Sequence, residues 1–183
     1  MRDIILSTDS TSDLNKEIID LHNIKQYPYT IIVDEKTYKD NIDISPSDIF
    51  SIYHEKKILP KTAAINISEY IDYFKKWKIY DQDIIHINLG ASLTSAHNNC
   101  RLASEEFDGV YPIDSQNLSS GSGLLVLKAI DLIKEGLSVQ EVVRELEAHR
   151  SKIHMSFLLD TLDFLHAGGR CSKIASLGAN LLK

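Results

Sequence analysis

The sequence predicts an α/β protein: a mostly parallel sheet with helices packed on its faces. Three observations predict it. Short β-branched runs at residues 4–7, 29–33, 84–88 and 110–113 each stand before a segment of helical periodicity, the order expected of parallel strands joined by crossover helices. Those runs carry few polar residues, as strands covered on both faces do. The helix starts between them are punctuated by capping residues.

Taken in order, the run from Ile4 to Ser7 opens the chain as a strand. Tyr29–Val33 is the next, and Asp34 to Lys36 then reads as a hairpin turn into Thr37-Tyr38, a small antiparallel excursion. Ser45-Pro46-Ser47-Asp48 places an N-cap serine before a first-turn proline. Asn66 with Glu69, and Ser138 with Glu141, have capping-box spacing, in which the carboxylate three residues on answers the backbone N–H of the cap. Ile84–Asn88 and Val110–Ile113 supply two more strands. A helix runs from about Ser119 through Leu124, Leu127, Ile130 and Ile133 to a stop at Gly136, and another follows through Val142, Leu146 and His149. Beyond Arg150, residues 152–158 read as a strand, 161–167 as a short helix, and 172 to the end as a final helix.

At 183 residues the chain is about one domain or a little more, by a prior of roughly 150 residues per domain. With 43% hydrophobic and 25% charged residues it has a globular composition, which excludes disorder, collagen and coiled coil. The 20 Lys and Arg against 26 Asp and Glu leave a net charge of -6, which argues against nucleic acid or an anionic membrane as main partner. Lys75, Lys76 and Lys78 form the nearest thing to a basic cluster and read as a solvated helix end. Cys100 and Cys171 are far apart and outside metal-ligand spacing, so both read as free packing residues. The start runs straight into a strand without a signal segment, and no apolar run reaches membrane-spanning length, so a cytoplasmic protein is expected. The apolar, uncapped stretch from Leu177 to Leu182 predicts a shortened form of a longer protein.

Ligands of open α/β sheets bind beyond the carboxyl ends of the strands. Three loops expected at that edge are rich in hydroxyls and glycine: 7–13, 90–95 and 114–123. Hydroxyl donors with free N–H groups at helix starts make an anion site without Lys or Arg, although the same residues also serve as plain N-caps. The residues between 120 and 123 lack the Gly-x-Ser-x-Gly of a nucleophile elbow. Val126 stands where a dinucleotide fingerprint needs glycine, and there is no P-loop. His86 lies in a buried strand and His97, His149 and His166 on helices, unpaired at ligand spacing, so they read as structural or surface residues.

Five motifs in register carry a resemblance to a known family. They are Thr8-Asp9-Ser10-Thr11-Ser12-Asp13-Leu14, Pro60-Lys61-Thr62-Ala63, and Leu93-Thr94-Ser95-Ala96 with Cys100 and Ala103. The fourth is Asp114-Ser115 through Ser119, Gly121 and Gly123; the fifth is Phe157, Thr161-Leu162, Leu165 and Gly168-Gly169-Arg170. Together they resemble the DegV family, which includes the fatty-acid-binding subunits of bacterial fatty acid kinase, over essentially the whole chain. The resemblance implies a three-layer α/β/α lobe over residues 1–151 that carries carboxylate-binding loops, and the beginning of a second α/β lobe over 152–183. The two lobes of family members close over one long-chain fatty acid.

By the same resemblance the hydroxyls of Thr62 and Thr94 bind the ligand carboxylate, with Ser95 beside them where the family has glycine. Ala63 stands where serine is common. Asp9 and Ser10 line a neighbouring loop, Asp114, Ser115 and Gly121 form the adjacent wall, and Arg170 serves docking to a kinase partner or the structure. The expected function is a non-enzymatic carrier that presents the acyl carboxylate to a separate fatty acid kinase, with no cofactor and no metal. Two other readings stay open: an α/β hydrolase or phosphate-handling enzyme using the serine-rich loops with Asp9 or Asp114, and a regulatory module with a vestigial pocket.

Overall fold

The structure, a computed structural model, describes residues 2–78, 81–159 and 162–168. The chain divides into two compact units. The first comprises Met1–Tyr29 and Ala64–Met155, and the second comprises Thr30–Ala63 and Ser156–Lys183. The second unit thus takes in residues 30–63, which the sequence reading kept with the first lobe.

The first unit is built on strands β1 (Ile4–Asp9), β2 (Lys25–Tyr27), β6 (Asp83–Asn88) and β7 (Val110–Asp114). They form one parallel sheet in the order β2-β1-β6-β7. Its helices are α1 (Lys16–Leu21), α3 (Ile67–Trp77), α4 (Ala96–Ser104), α5 (Ser120–Lys134) and α6 (Val139–Arg150). Successive strand residues face opposite sides, and every residue of β6 is buried, so helices cover both faces. On one face Leu6, Ile85, Ile87 and Ile113 pack with Leu125, Val126 and Ile130 of α5 and Val142 and Leu146 of α6. On the other, Ile84 and Val110 pack with Tyr70 and Phe74 of α3 and Ala96 and Cys100 of α4. Each fully buried side chain of this size contributes about 1.5–3 kcal/mol, so the two clusters hold the three layers together.

The expected helix starts are present. Asn66 accepts from the Glu69 N–H at 2.9 Å, and its own N–H donates to Glu69 Oε2 at 3.0 Å. Ser138 donates to Glu141 Oε2 from its hydroxyl at 2.6 Å and its N–H at 2.8 Å, and these bonds, the hydroxyl's first, hold the Glu141 carboxyl below its usual value. Helix α5 ends before Gly136, whose φ of 82° is the left-handed conformation that a C-terminal stop requires.

The second unit contains β3 (Thr30–Val33), β4 (Lys36–Lys39), β5 (Lys61–Ala63), α2 (Pro46–Lys56) and α7 (Asp163–Ala167). The three strands form a separate antiparallel sheet in the order β4-β3-β5. Ile31, Val33 and Ile44 make its core, with Tyr38, Ile49 and Ile52 against them. Ser45 caps α2 in a capping box with Asp48.

Two expectations are corrected. Tyr29–Val33 is not part of the parallel sheet: strand β3 begins at Thr30 and is the centre of the antiparallel one. Asp34 and Glu35, at φ of 49° and 66°, make a two-residue turn, and so short a connection can only return the chain antiparallel. Residues 152–158 form no strand. Phe157 and Leu158 are exposed and no described strand pairs with them, so nothing satisfies the backbone ladder. Two strands, β2 and β5, were not foreseen; each is three residues long, too short for a period-2 signal. The predicted helix from Ser172, and Thr161, Gly169, Arg170 and Cys171, lie outside the described residues.

Candidate functional site

From β1 the chain steps outward to β2 on one side, and later to β6 on the other. The carboxyl ends of β1 and β6 therefore flank the point where the strand order reverses, the usual ligand crevice of such sheets. Side chains of β1 and β6 that share the α3–α4 face of the sheet meet there.

Asp9, at the end of β1 and 1% exposed, is the hub. Its Oδ1 accepts from the Tyr70 hydroxyl at 3.1 Å and pairs with His86 Nε2 at 3.0 Å. Its Oδ2 accepts from the Leu89 backbone N–H at 2.9 Å and from Asn88 Nδ2 at 3.4 Å. A carboxylate only accepts, so His86 Nε2 carries a proton. On the other side of the ring, Nδ1 lies 2.7 Å from Ser7 Oγ, which is itself 2.7 Å from the Tyr73 hydroxyl. Asn88 Nδ2 also donates to the Tyr70 oxygen at 3.0 Å, which turns Asn88 Oδ1 toward His97 Nδ1 at 3.1 Å. Burial raises the Tyr70 and Tyr73 phenols and the Cys100 thiol, and lowers the His97 imidazole.

Ser7, His86 and Asp9 stand in the chemical order of a hydrolase triad. Ser7 is fully buried, however, and its oxygen is shared with Tyr73, so no substrate reaches it. The line acts as a brace. It joins the ends of β1 and β6 to the start of α4 and fixes the departure of the 89–95 loop.

The other expected wall residues are also occupied within the protein. The Ser10 hydroxyl accepts from Tyr29 N–H at 3.1 Å. Asp114 Oδ1 accepts from Ala91 N–H at 2.9 Å and Gln116 N–H at 3.0 Å, tying two of the hydroxyl-rich loops together. Ser115 Oγ lies 2.9 Å from Ser122 Oγ and donates to the Asn117 carbonyl at 3.0 Å. A Cβ on Gly121 would stand 2.6 Å from Asn117 Oδ1, so this glycine serves close packing.

Thr94 and Ser95 differ from these. Thr94 is half-buried and Ser95 exposed, at the start of α4. Thr94 Oγ1 accepts from Ala96 N–H at 3.2 Å, which leaves its O–H to donate. Below the loop, the Thr94 side chain is the hydrogen-bonding group that reaches the Tyr29 hydroxyl and lowers its phenol against the larger rise from burial, though the pair falls short of full hydrogen-bond geometry.

Thr62 belongs to the second unit, in β5 opposite Ile31. It lines an open cavity of about 480 Å³ with Leu59, Pro60, Lys61, Phe164 and Leu165. A hydroxyl and an ammonium on an apolar wall suit an amphipathic anion. Arg170 lies outside the described residues.

Sequence reasoning named Asp9 and read His86 as structural or surface, but missed the network around them: Tyr70, His86 and Asn88 at the Asp9 carboxyl, and Ser7 and Tyr73 beyond His86. Their only sequence signal is polar residues inside buried strand and helix patterns, and their separations of 61 to 79 residues from the β1 members hide the pairing. Among the described residues no group of three or more His, Cys, Asp or Glu converges as a metal site, and no helix is long and apolar enough to cross a membrane.

Comparison with known proteins places the chain. A DegV domain-containing protein of Clostridium perfringens (strain 13 / Type A) is 31% identical over 189 residues, covering 100% of this chain and 68% of its own length. One from Staphylococcus aureus (strain COL) is 34% identical over 180 residues, covering 98% and 64%. The chain thus spans about two thirds of the length of these relatives. Among solved structures, a fatty-acid-binding DegV family protein of Thermus thermophilus matches with a TM-score of 0.85 at 29% identity, over 100% of this chain and 65% of that one. DegV of Bacillus subtilis, described as a fatty acid binding protein, matches with a TM-score of 0.83 at 27% identity, over 100% and 66%. The DegV family model itself matches residues 3–183, and by that match the chain belongs to the DegV family.

Proposed function

We propose that the protein binds a long-chain fatty acid and acts as a carrier, presenting the acyl carboxylate to a separate fatty acid kinase. Thr62, Thr94 and Ser95 are the carboxylate-binding residues of this reading, with Asp9, Ser10, Asp114, Ser115 and Gly121 shaping the loops around them, and Arg170 serving partner docking or structure. The observation that carries it is how the loop hydroxyls of the first unit are used. The Ser115 O–H donates to the Asn117 carbonyl and Ser10 is buried, while the Thr94 oxygen, half-buried at the start of α4, only accepts, from Ala96 N–H. A hydroxyl at the start of a helix suits holding an anion.

The acyl chain supplies most of the affinity. An acid of about 16 carbons buries roughly 14 methylenes at ~0.8 kcal/mol each, ~11 kcal/mol before costs, against about 1.5–3 kcal/mol for a hydrogen bond to the charged head group. The head-group residues therefore set orientation, and the apolar walls set chain length. The carboxylate-binding loops of this reading lie within residues 1–151, of which 30–63 belong to the second compact unit, and 152–183 begin a second lobe; the setting is the cytoplasm.

Solvent extraction of the purified protein followed by mass spectrometry tests the proposal. A long-chain fatty acid in near-equimolar amount is the expected result. An empty protein overturns it, and turnover of an activated ester or a phosphomonoester by the same preparation would put a hydrolase in its place.

A further inference from the structure

Around the carboxyl ends of β1 and β6, the buried polar side chains of Ser7, Asp9, Tyr70, Tyr73, His86 and Asn88 all find partners. The Tyr29 hydroxyl does not. Tyr29 is 5% exposed, its ring belongs to the core under α3 and α4, and its oxygen has no hydrogen-bond partner. The hydroxyls of Thr11 and Ser12, in the turn after β1, are also unpartnered, but Tyr29 is the one whose neighbour is Thr94. A buried hydroxyl without a partner destabilises the fold, and a phenylalanine would fill the same space without that cost. The backbone offers no relief, because Tyr29 N–H is already held by Ser10 Oγ at 3.1 Å.

We propose that Tyr29 is a further head-group residue, whose phenolic O–H donates to the same anionic group that the Thr94 hydroxyl binds. The inference rests on the fatty-acid reading and adds to it a residue and a specificity: an ionised head group over a neutral one. Burial and the nearby Asp9 charge raise the Tyr29 phenol, so it stays protonated and offers a donor, which suits a carboxylate. Since the hydroxyl has no exposed surface here, the head group reaches it when the half-buried Thr94 side chain changes rotamer.

Tyr29→Phe removes this one oxygen and keeps the ring. Binding of stearic acid and of stearyl alcohol to wild type and variant is measured, together with the melting temperature of each ligand-free protein. The variant is expected to bind the acid about ten-fold more weakly, to bind the alcohol within about two-fold of wild type, and to melt at or above the wild-type temperature. Opposite signs on stability and affinity distinguish an oxygen kept for a ligand from one kept for packing. Unchanged affinity for the acid overturns the inference while leaving the carrier reading intact. A lower melting temperature with equal losses for both ligands overturns it in favour of a structural role. Wild-type protein that binds neither ligand overturns the carrier reading, and the inference with it.

Discussion

His86 Nε2 and Asp9 Oδ1 meet at 3.0 Å although the two residues are 77 positions apart, and both side chains are almost completely buried. The pair joins the central strands β1 and β6 at the end where the crevice opens, so the loop carrying Thr94 leaves the sheet from a braced position. The Tyr70 hydroxyl and the Leu89 N–H also donate to Asp9, and such partners are how a buried polar group is tolerated.

Asp9→Ala leaves the Tyr70 hydroxyl, His86 Nε2 and Leu89 N–H without their acceptor. We expect a loss of about 3 kcal/mol of folding stability. Urea denaturation checks it, and a loss below about 1 kcal/mol would mean that the brace is not a stabilising element.

Thr94→Val and Thr62→Val each keep side-chain shape while deleting a hydroxyl. If these hydroxyls hold the carboxylate, each variant binds a long-chain fatty acid about ten-fold more weakly, ~1.4 kcal/mol, with its melting temperature little changed. Titration with stearic acid checks each residue separately, and wild-type affinity in a variant removes that residue from the site.

Burial lowers the His97 imidazole from its ordinary 6.5, with Asp114, Arg150, His86 and Asp9 as the charged or titratable groups acting on it. Below that value the unfolded chain takes up a proton that the folded chain resists, so the stability associated with neutral His97 is complete above it and is lost as the pH falls through the lower folded value. Urea midpoints for wild type should therefore drop more between about pH 7.5 and about pH 5.5 than those of His97→Gln. Parallel curves would place the pH dependence elsewhere.

Gly109 and Gly136 both hold left-handed backbone, with φ of 79° and 82°, but in different surroundings. A Cβ on Gly109 would stand 2.3 Å from Asp83 Oδ1, whose buried carboxylate pairs with Arg2 at 3.5 Å; around Gly136 there is open space. Gly136→Ala should cost only its backbone strain, about 1 kcal/mol, and Gly109→Ala about 3 kcal/mol, as compared by chemical denaturation. Equal losses would show that strain, not the Asp83 contact, dominates at both.

Much of the fold was legible from local signals. Strands β1, β6 and β7 announced themselves because strands buried on both faces need near-continuous apolar runs. The starts of α2, α3 and α6 were legible because capping is a three-residue interaction that sequence spacing records directly. Which sheet Thr30–Val33 joins was not legible, since a β-branched run looks the same in either sheet. The hairpin turn that follows it was legible at Asp34 to Lys36, but the pairing with Lys61–Ala63, which draws the run into a separate sheet, was not.

The candidate site divides along the same line. Sequence by itself determined that hydroxyl-rich loops would follow β1, β6 and β7, and the resemblance to the DegV family singled out Asp9, Ser10, Thr62, Thr94 and Asp114 as residues to inspect. Tertiary structure decided which of those groups are already occupied: Ser10 by Tyr29 N–H, Asp114 by Ala91 and Gln116, and Asp9 by His86, Tyr70 and Leu89. It also decided which hydroxyl is buried with no partner at all, that of Tyr29. The physical reason is that hydrogen-bond satisfaction is a property of atoms brought within about 3 Å by packing. Residues such as Ser7 and His86, 79 positions apart, acquire that relation only when parallel strands set them side by side.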